Sequence, residues 1–188
     1  MLDKELPNID KITTLAKSRM FTIEQLDLEF SNGEKRCFER LKSGPRRSVL
    51  IAAIDNKNNI LLVKEYAAGT ERYELCLPKG LVENDETIFH GANRELQEEV
   101  GFIAEDIVEI TDLTIAPNYM SHKSCLVLAT GLSPSKLIGD EPEPLELVYC
   151  SLGKINDLIL SGQVTEARSI AGIYIIKNYL DNKNLDKR

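Results

Sequence analysis

The sequence predicts an α/β or α+β domain, a sandwich built around a mixed β-sheet. Three observations carry this. Strand-like runs recur through most of the 188 residues, one clear amphipathic helix interrupts them mid-chain, and two more helices close the chain. A composition of 43% hydrophobic and 28% charged residues suffices for one globular core with a small added element.

The elements follow in order. Residues 1–19 are polar and mixed and give no definite element. "FTIEQLDLEF" alternates in part, and "SNG" at Ser31 to Gly33 supplies the Asn-Gly signal of a two-residue type I′ turn before "EKRCFERL". Together they predict an N-terminal β-hairpin within residues 1–44. After "KSGPRR", the runs "SVLIAAI" and "ILLVKEY" flank "DNKNN" and predict a second hairpin of two buried strands. "RYELCL" is a further strand, ended by Pro78. A helix is expected from about Thr87 to Val100, with Asp85 as N-cap and Gly101 as C′ residue. Its apolar stripe is Ile88, Phe89, Ala92, Leu96 and Val100. Strands are expected at "IVEITDLTIA", "SCLVLAT" and "LELVYCS", the last two separated by the loop "LSPSKLIGDEPEP". Helices near 155–160 and 165–180 complete the order, the latter with Ile170, Ile173, Tyr174 and Lys177 at helical spacing.

Composition removes several function classes. The longest uncharged apolar run, "SVLIAAI", is too short to span a bilayer, and "MLDKELPNID" lacks the basic and apolar regions of a signal peptide. The expectation is a cytoplasmic protein with no membrane partner. Cys37, Cys76, Cys125 and Cys150 lie far apart without C-x-x-C spacing, and are expected as reduced core thiols. A net charge of -7 argues against nucleic acid as a partner. With only His90 and His122, there is no material for a histidine-based triad or zinc site.

One stretch of the central helix, "RELQEEVGF", is electrostatically unfavourable as it stands. Glu95, Glu98 and Glu99 sit at i, i+3 and i+4, on one face and beside the apolar stripe. Two carboxylates about 5 Å apart repel by about 3 kcal/mol at an effective dielectric of about 20. They also stand near the helix C-terminus, where the dipole disfavours anions. A bound cation would offset this, and carboxylates without His or Cys neighbours suit Mg²⁺ or Mn²⁺.

The spacing around the cluster goes further. "GLVENDETIFHGANRELQEEVGF" runs from Gly80 through Glu86 to Arg94-Glu95-Leu96, Glu98-Glu99 and Gly101-Phe102. It matches the fixed positions of the Nudix box, and the chain is therefore identified as resembling the Nudix hydrolases. "LDLEFSNG", "KEYAAGTERYEL", "GDEPEP" and "EAR" at Glu166 to Arg168 resemble the branch of that family acting on ADP-containing compounds. The resemblance implies a Nudix fold, an α/β/α sandwich with a mixed sheet, over residues 45–188, preceded by the hairpin segment as a dimerisation element. It implies a homodimer and a Mg²⁺-dependent (or Mn²⁺-dependent) pyrophosphohydrolase. ADP-ribose, diadenosine polyphosphates and NADH would be split into AMP and a phosphorylated product by in-line attack of water. Pro117 and Tyr119, fifteen and seventeen residues after Phe102, match markers of the ADP-ribose and diadenosine classes. Lys79 departs from the alanine that many ADP-ribose hydrolases carry before the box glycine.

Roles carried over from the box make Glu95, Glu98, Glu99 and the Gly80 carbonyl the metal ligands, with Glu86 and Arg94 bracing the loop-helix-loop. Two candidates stand for the general base: Glu98 in the box, and a carboxylate of the acidic loop, where Asp140, Glu141, Glu143 and Glu146 are available and Glu143 is the choice. Arg46, Arg47 and Lys79 are the expected phosphate contacts and Tyr119 the adenine platform. A sensor module that binds ADP-ribose or NAD without hydrolysis is the alternative function; an RNA 5′-end or mutagenic-nucleotide hydrolase is disfavoured by the acidic balance and by Pro117.

Overall fold

A computed structural model describes residues 4–185. The chain divides into two compact units. The first comprises residues up to Pro45 together with Thr114–Lys123, and the second comprises Arg46–Leu113 and the chain from Ser124 onward.

The first unit holds a three-stranded antiparallel sheet in the order β1-β2-β3, formed by Asn8–Lys17, Thr22–Glu29 and Lys35–Lys42. β1 has no counterpart in the sequence expectation. Its ten residues are almost wholly exposed, and register shifts after Ile9 and Thr14 break the alternation by which a strand is read. The turn between β2 and β3 also differs from expectation. Gly33 N–H donates to the Phe30 carbonyl at 2.8 Å, and Gly33, not Asn32, has the positive φ, at 80°. This is a three-residue loop with glycine in the left-handed position, not a type I′ turn, because Asn32 spends its carboxamide oxygen on Glu34 N–H at 3.1 Å. Cys37 lies exposed on β3 rather than in a core, its thiol donating to Asp27 at 3.0 Å.

The second unit contains two sheets. One is antiparallel, in the order β10-β5-β6, from Glu146–Ser151, Asn59–Ala67 and Arg72–Cys76. The other is mixed, in the order β7-β4-β9-β8, from Lys79–Leu81, Ser48–Ala53, Lys123–Pro134 and Phe102–Thr114. β4 runs antiparallel to β7 and parallel to β9. The expected second hairpin is therefore not formed. β4 and β5 share a tight turn and a single bridge, Ile54 to Ile60, then diverge into different sheets. Their uninterrupted apolar sequences explain this, because every residue of such a strand needs cover on one face or the other.

That cover is a core on each side. Val49, Ile51, Ala53, Leu61, Val63 and Val127 pack with Ile88, Ala92, Leu96 and Val100 of the mid-chain helix. Leu50, Ala52, Leu62, Leu126 and Leu128 pack with Ile155, Ile173 and Ile176 of α2 (Ile155–Leu160) and α3 (Ala167–Leu185). The alternation of β4 thus divides its residues between two helical layers, which is the α/β/α sandwich. Gly172 lets α3 approach closely, since a Cβ there would meet Leu77 and Leu126 at 3.1 Å. In α3 Ile173 and Ile176 are fully buried and Ile170 packs against them as expected, while Tyr174 is exposed. Among the described residues, no helix is long and apolar enough to cross a membrane.

Candidate active site

β7 delivers Gly80, paired with Val49, to the edge of the mixed sheet. The following loop is held by its own groups. Val82 N–H donates to the Arg47 carbonyl at 2.9 Å, and Glu83 N–H donates to the Glu86 carboxylate at 2.9 Å. Thr87 then caps α1, Ile88–Glu95, accepting from His90 N–H at 3.2 Å, so Thr87 and not Asp85 is the N-cap. Phe89 departs from the expected stripe: it is exposed, with its ring edge-on to His90.

The last turn is not α-helical. Leu96–Val100 forms a π turn closed by Gly101 N–H donating to the Leu96 carbonyl at 2.9 Å, with Gly101 left-handed at a φ of 80°. Such wide turns place one extra residue in the ladder and are frequent at functional sites. Here the turn carries Glu98 and Glu99, with Glu95 immediately before it.

Arg94 joins loop and helix. Its Nε and Nη2 donate to the two oxygens of Glu86 at 2.8 and 3.1 Å, and Nη2 reaches the Leu81 carbonyl at 2.7 Å. Its Nη1 donates to Glu95 at 2.8 Å and to Glu98 at 2.9 Å. One guanidinium therefore fixes the loop-helix-loop and neutralises part of the cluster.

Glu95 and Glu99 are both buried. Burial pushes Glu95 up to about 7 against the pull of Arg94, with Glu98 and Glu141 adding to the rise. Burial likewise pushes Glu99 up to about 8 against the pull of Lys79, with Glu95 and Glu65 adding. Glu99 accepts from Lys79 N–H at 3.1 Å. A Cβ on Gly80 would overlap the Glu95 carboxylate, so the close approach of that side chain to β7 requires glycine. Among the described residues, no three acidic, His or Cys side chains are drawn together tightly enough to cage an ion; Arg94 lies between Glu95 and Glu98. The donor set nonetheless fits a hard divalent cation: all its donors are carboxylate or carbonyl oxygens, two of the carboxylates are desolvated, and their excess charge has no full counterion.

The remaining predicted residues are distributed as follows. Lys79 turns inward, its ammonium on the Glu65 carboxylate and 3.6 Å from the buried Cys76 sulfur. Arg46 pairs with Glu83 at 2.8 Å, and Arg47 stands 3.5 Å from Glu109 and 3.9 Å from Asp112, all of them partly exposed. Tyr119 belongs to the first unit and is exposed. Glu143 accepts from the hydroxyl of Tyr73, beside an open cleft of about 470 Å³ lined also by Lys64, Pro144 and Glu146. Glu141 is the acidic-loop residue turned toward the cluster: a Cβ on Gly139 would overlap its Oε2 and lie 3.4 Å from Glu98 Cβ. No sequence signal separates Glu141 from Glu143, since both flank Pro142 in the same acidic run. Glu166 and Ser169, at the start of α3, anchor the strand end before Gly80. Ser169 Oγ donates to Glu166 at 2.7 Å and accepts from Leu77 N–H at 2.9 Å.

With this geometry established, comparison with known proteins is decisive. The NUDIX domain model matches residues 44–170, two-thirds of the chain, and the NudE-type Nudix hydrolase N-terminal domain matches residues 7–40. The chain belongs to the Nudix hydrolases. This Nudix hydrolase is 43% identical to the ADP compounds hydrolase NudE of Escherichia coli strain K12, over 93% of each chain. It is 28% identical to an ADP-ribose pyrophosphatase of Bacillus subtilis strain 168, over 87% of its own length and 91% of the relative's. A crystal structure of an ADP compounds hydrolase superposes with a TM-score of 0.89 at 42% identity, covering 96% of this chain and 97% of the other. The resemblance first visible in the box thus extends over nearly the whole chain.

Proposed function

We propose that this Nudix hydrolase is a divalent-metal-dependent pyrophosphohydrolase that splits ADP-containing compounds, with ADP-ribose, diadenosine polyphosphates and NADH as the substrate class, into AMP and a phosphorylated product. One observation carries the reading: the intact carboxylate box, with buried Glu95 against Gly80 and buried Glu99 against Lys79 N–H, in a chain 43% identical to an ADP compounds hydrolase. Retention of so costly a cluster argues against a sensor that only binds.

Glu95, Glu98, Glu99 and the Gly80 carbonyl would hold Mg²⁺, with Mn²⁺ as a substitute. When bound, the cation neutralises phosphate oxygens and lowers the pKa of attached water. Arg94 and Glu86 keep the loop and helix in register. Arg46 and Arg47, whose acidic partners are themselves exposed, are free to exchange them for phosphate oxygens. Lys79 serves from below as a counter-cation to Glu65 and Glu99, and Tyr119 offers an exposed ring for adenine. A carboxylate of the acidic loop takes the proton from the attacking water. Glu141, whose charge bears on Glu95, is better placed for this than Glu143, which Tyr73 holds, or Glu98, which Arg94 neutralises.

The test is release of AMP from ADP-ribose, diadenosine triphosphate and NADH with Mg²⁺, beside capped RNA. The expected result is AMP from the ADP compounds and none from capped RNA. Absence of AMP from all three ADP compounds, with tight binding of ADP-ribose, would make the chain a sensor instead.

The protein acts as a homodimer in this reading, in the cytoplasm, whose reducing environment suits four free thiols. Ile12, Leu26 and Phe38 are directly paired across β1, β2 and β3 and share a face with Ile9; Ile9, Ile12 and Phe38 are all exposed. An apolar row of this kind is suited to a second copy. A monomeric mass in solution scattering would refute the dimer.

A further inference from the structure

The π turn creates a local deficit that a remote segment fills. Because Gly101 N–H bonds the Leu96 carbonyl, the Gln97 carbonyl loses the donor that a regular α-helix would supply, and the Glu98 carbonyl lacks one because the helix ends at Gly101 and Phe102 begins β8. Leu137 N–H donates to the Gln97 carbonyl at 3.1 Å, and the Lys136 ammonium donates to the Glu98 carbonyl at 2.5 Å. Two more bonds hold the same segment in place. Ser135 N–H donates to the Gly101 carbonyl at 2.9 Å, and Gln97 Nε2 donates to Ser135 Oγ at 2.8 Å. The stem of Lys136 lies over Gly101, where a Cβ would meet its Cδ at 3.4 Å. Three consecutive residues thus bond the turn at Gln97, Glu98 and Gly101, on either side of Glu99.

We propose that Ser135–Leu137 is a clamp that holds the turn in its π register, and that Lys136 is its positioning residue for the metal carboxylates. Lys136 is suited to this by charge and by length: its ammonium sits on a main-chain oxygen at a negative helix end, and its stem covers a glycine. It touches neither substrate nor carboxylate; it fixes the peptide from which Glu98 projects. If the turn relaxed to α-helical register, one residue would leave the ladder and the directions of Glu98 and Glu99 would rotate by about 100° relative to the preceding helix. The clamp therefore contributes directly to the geometry in which Glu98 and Glu99 can share a cation with Glu95. The same segment leads straight into the loop carrying Glu141, so that loop begins from a fixed point on the box.

This inference rests on the metal-dependent reading above, and the experiment separates the two. Lys136→Met keeps the stem and removes the donor; Lys136→Arg restores a donor. Full-length proteins would be titrated calorimetrically with Mn²⁺, and amide exchange would be followed in metal-free protein. Lys136→Met is expected to weaken Mn²⁺ binding about tenfold, the size typical when a group supporting a metal ligand is lost. It should speed exchange at Leu137 and Gly101, and lower kcat for AMP release about tenfold while KM for the nucleotide stays within about twofold. Lys136→Arg should recover most of the affinity and the slow exchange. Wild-type Mn²⁺ affinity and exchange in Lys136→Met would overturn the clamp, as would equal losses in Lys136→Arg. If wild-type protein releases no AMP from any ADP compound, the functional reading falls, while titration and exchange still decide the clamp.

Discussion

Replacing Glu99 by Gln should stabilise the metal-free protein and abolish its activity, and the first effect should grow with pH. Burial raises the folded-state pKa of Glu99 to about 8 from an ordinary value of 4.5. The folded protein therefore binds that proton more tightly than the unfolded chain does. The stability this confers is fully present below 4.5 and is lost as pH rises toward 8. Linkage sets the loss at about 1.4 kcal/mol per pH unit, so wild-type protein should have lost roughly 3 kcal/mol through this group by about pH 7. Gln has nearly the same shape, still accepts from Lys79 N–H and carries no titrating proton. The variant should match wild type in urea unfolding near pH 4.5 and exceed it by roughly 3 kcal/mol at about pH 7, both without metal. With saturating Mg²⁺ the gap should close or reverse, because only wild type gains stability from the ion. A variant no more stable than wild type at neutral pH, or a gap that does not change with pH, would refute the claim that Glu99 is held as a strained, desolvated acid.

Three further outcomes are expected. Gly80→Ala puts a methyl group into the Glu95 carboxylate, and calorimetric titration should show Mn²⁺ affinity reduced about tenfold or more; unchanged affinity would mean the close approach is dispensable. Glu141→Gln should cut kcat about a hundredfold with Mn²⁺ affinity within a few-fold of wild type, and Glu143→Gln should cut it much less; the reverse order in steady-state assays would return the base to Glu143. Arg72, with help from Thr165 and Thr70, holds Glu74 down to about 2, so its stabilising effect is present above 4.5 and fades as pH falls toward 2. Urea midpoints of wild type and Glu74→Gln should accordingly draw together as pH falls from about 4.5 toward 2, and parallel midpoints would remove Glu74 from acid sensitivity.

How far the sequence revealed this molecule depended on whether the signal was local. The box was legible because loop, helix and carboxylates lie within 23 consecutive residues, so spacing alone defines them. Strand identities came through for the same reason, as did the pairing of β2 with β3 across a short turn, yet the long-range partners did not. "SVLIAAI" and "ILLVKEY" look like a hairpin on either side of "DNKNN", but parallel pairing of β4 with a strand some 75 residues away is a tertiary choice that no short window records. β1 escaped notice because its two register shifts destroy the period of two. The π turn was equally hidden: Leu96 and Val100 fit a regular helical stripe, and the extra residue is visible only in the bond from Gly101 to Leu96. Lys79 is expected at the phosphates from its place before the box glycine, but its N–H bonds Glu99 and its ammonium is turned inward by Glu65, a residue of another sheet. The difference between Glu141 and Glu143 is likewise set by Tyr73 and Gly139, which lie outside any motif.

The pairing of β4 with β9 also sets an order of events during synthesis. Ser48 lies opposite Ser124, so the entire box emerges from the ribosome inside a loop whose far end does not yet exist. Gly80, α1 and the π turn can form locally, but the sheet beneath them closes only when β9 arrives, and Ser135–Leu137 follows directly from its last residue, Pro134. Long-range parallel pairing of this kind is slow to form. A nascent chain stopped short of β9 would therefore display the acidic turn without the strand that supports it or the donors that fix its register. The geometry of the carboxylate turn is thus completed late in translation, as a consequence of topology and not of the box alone.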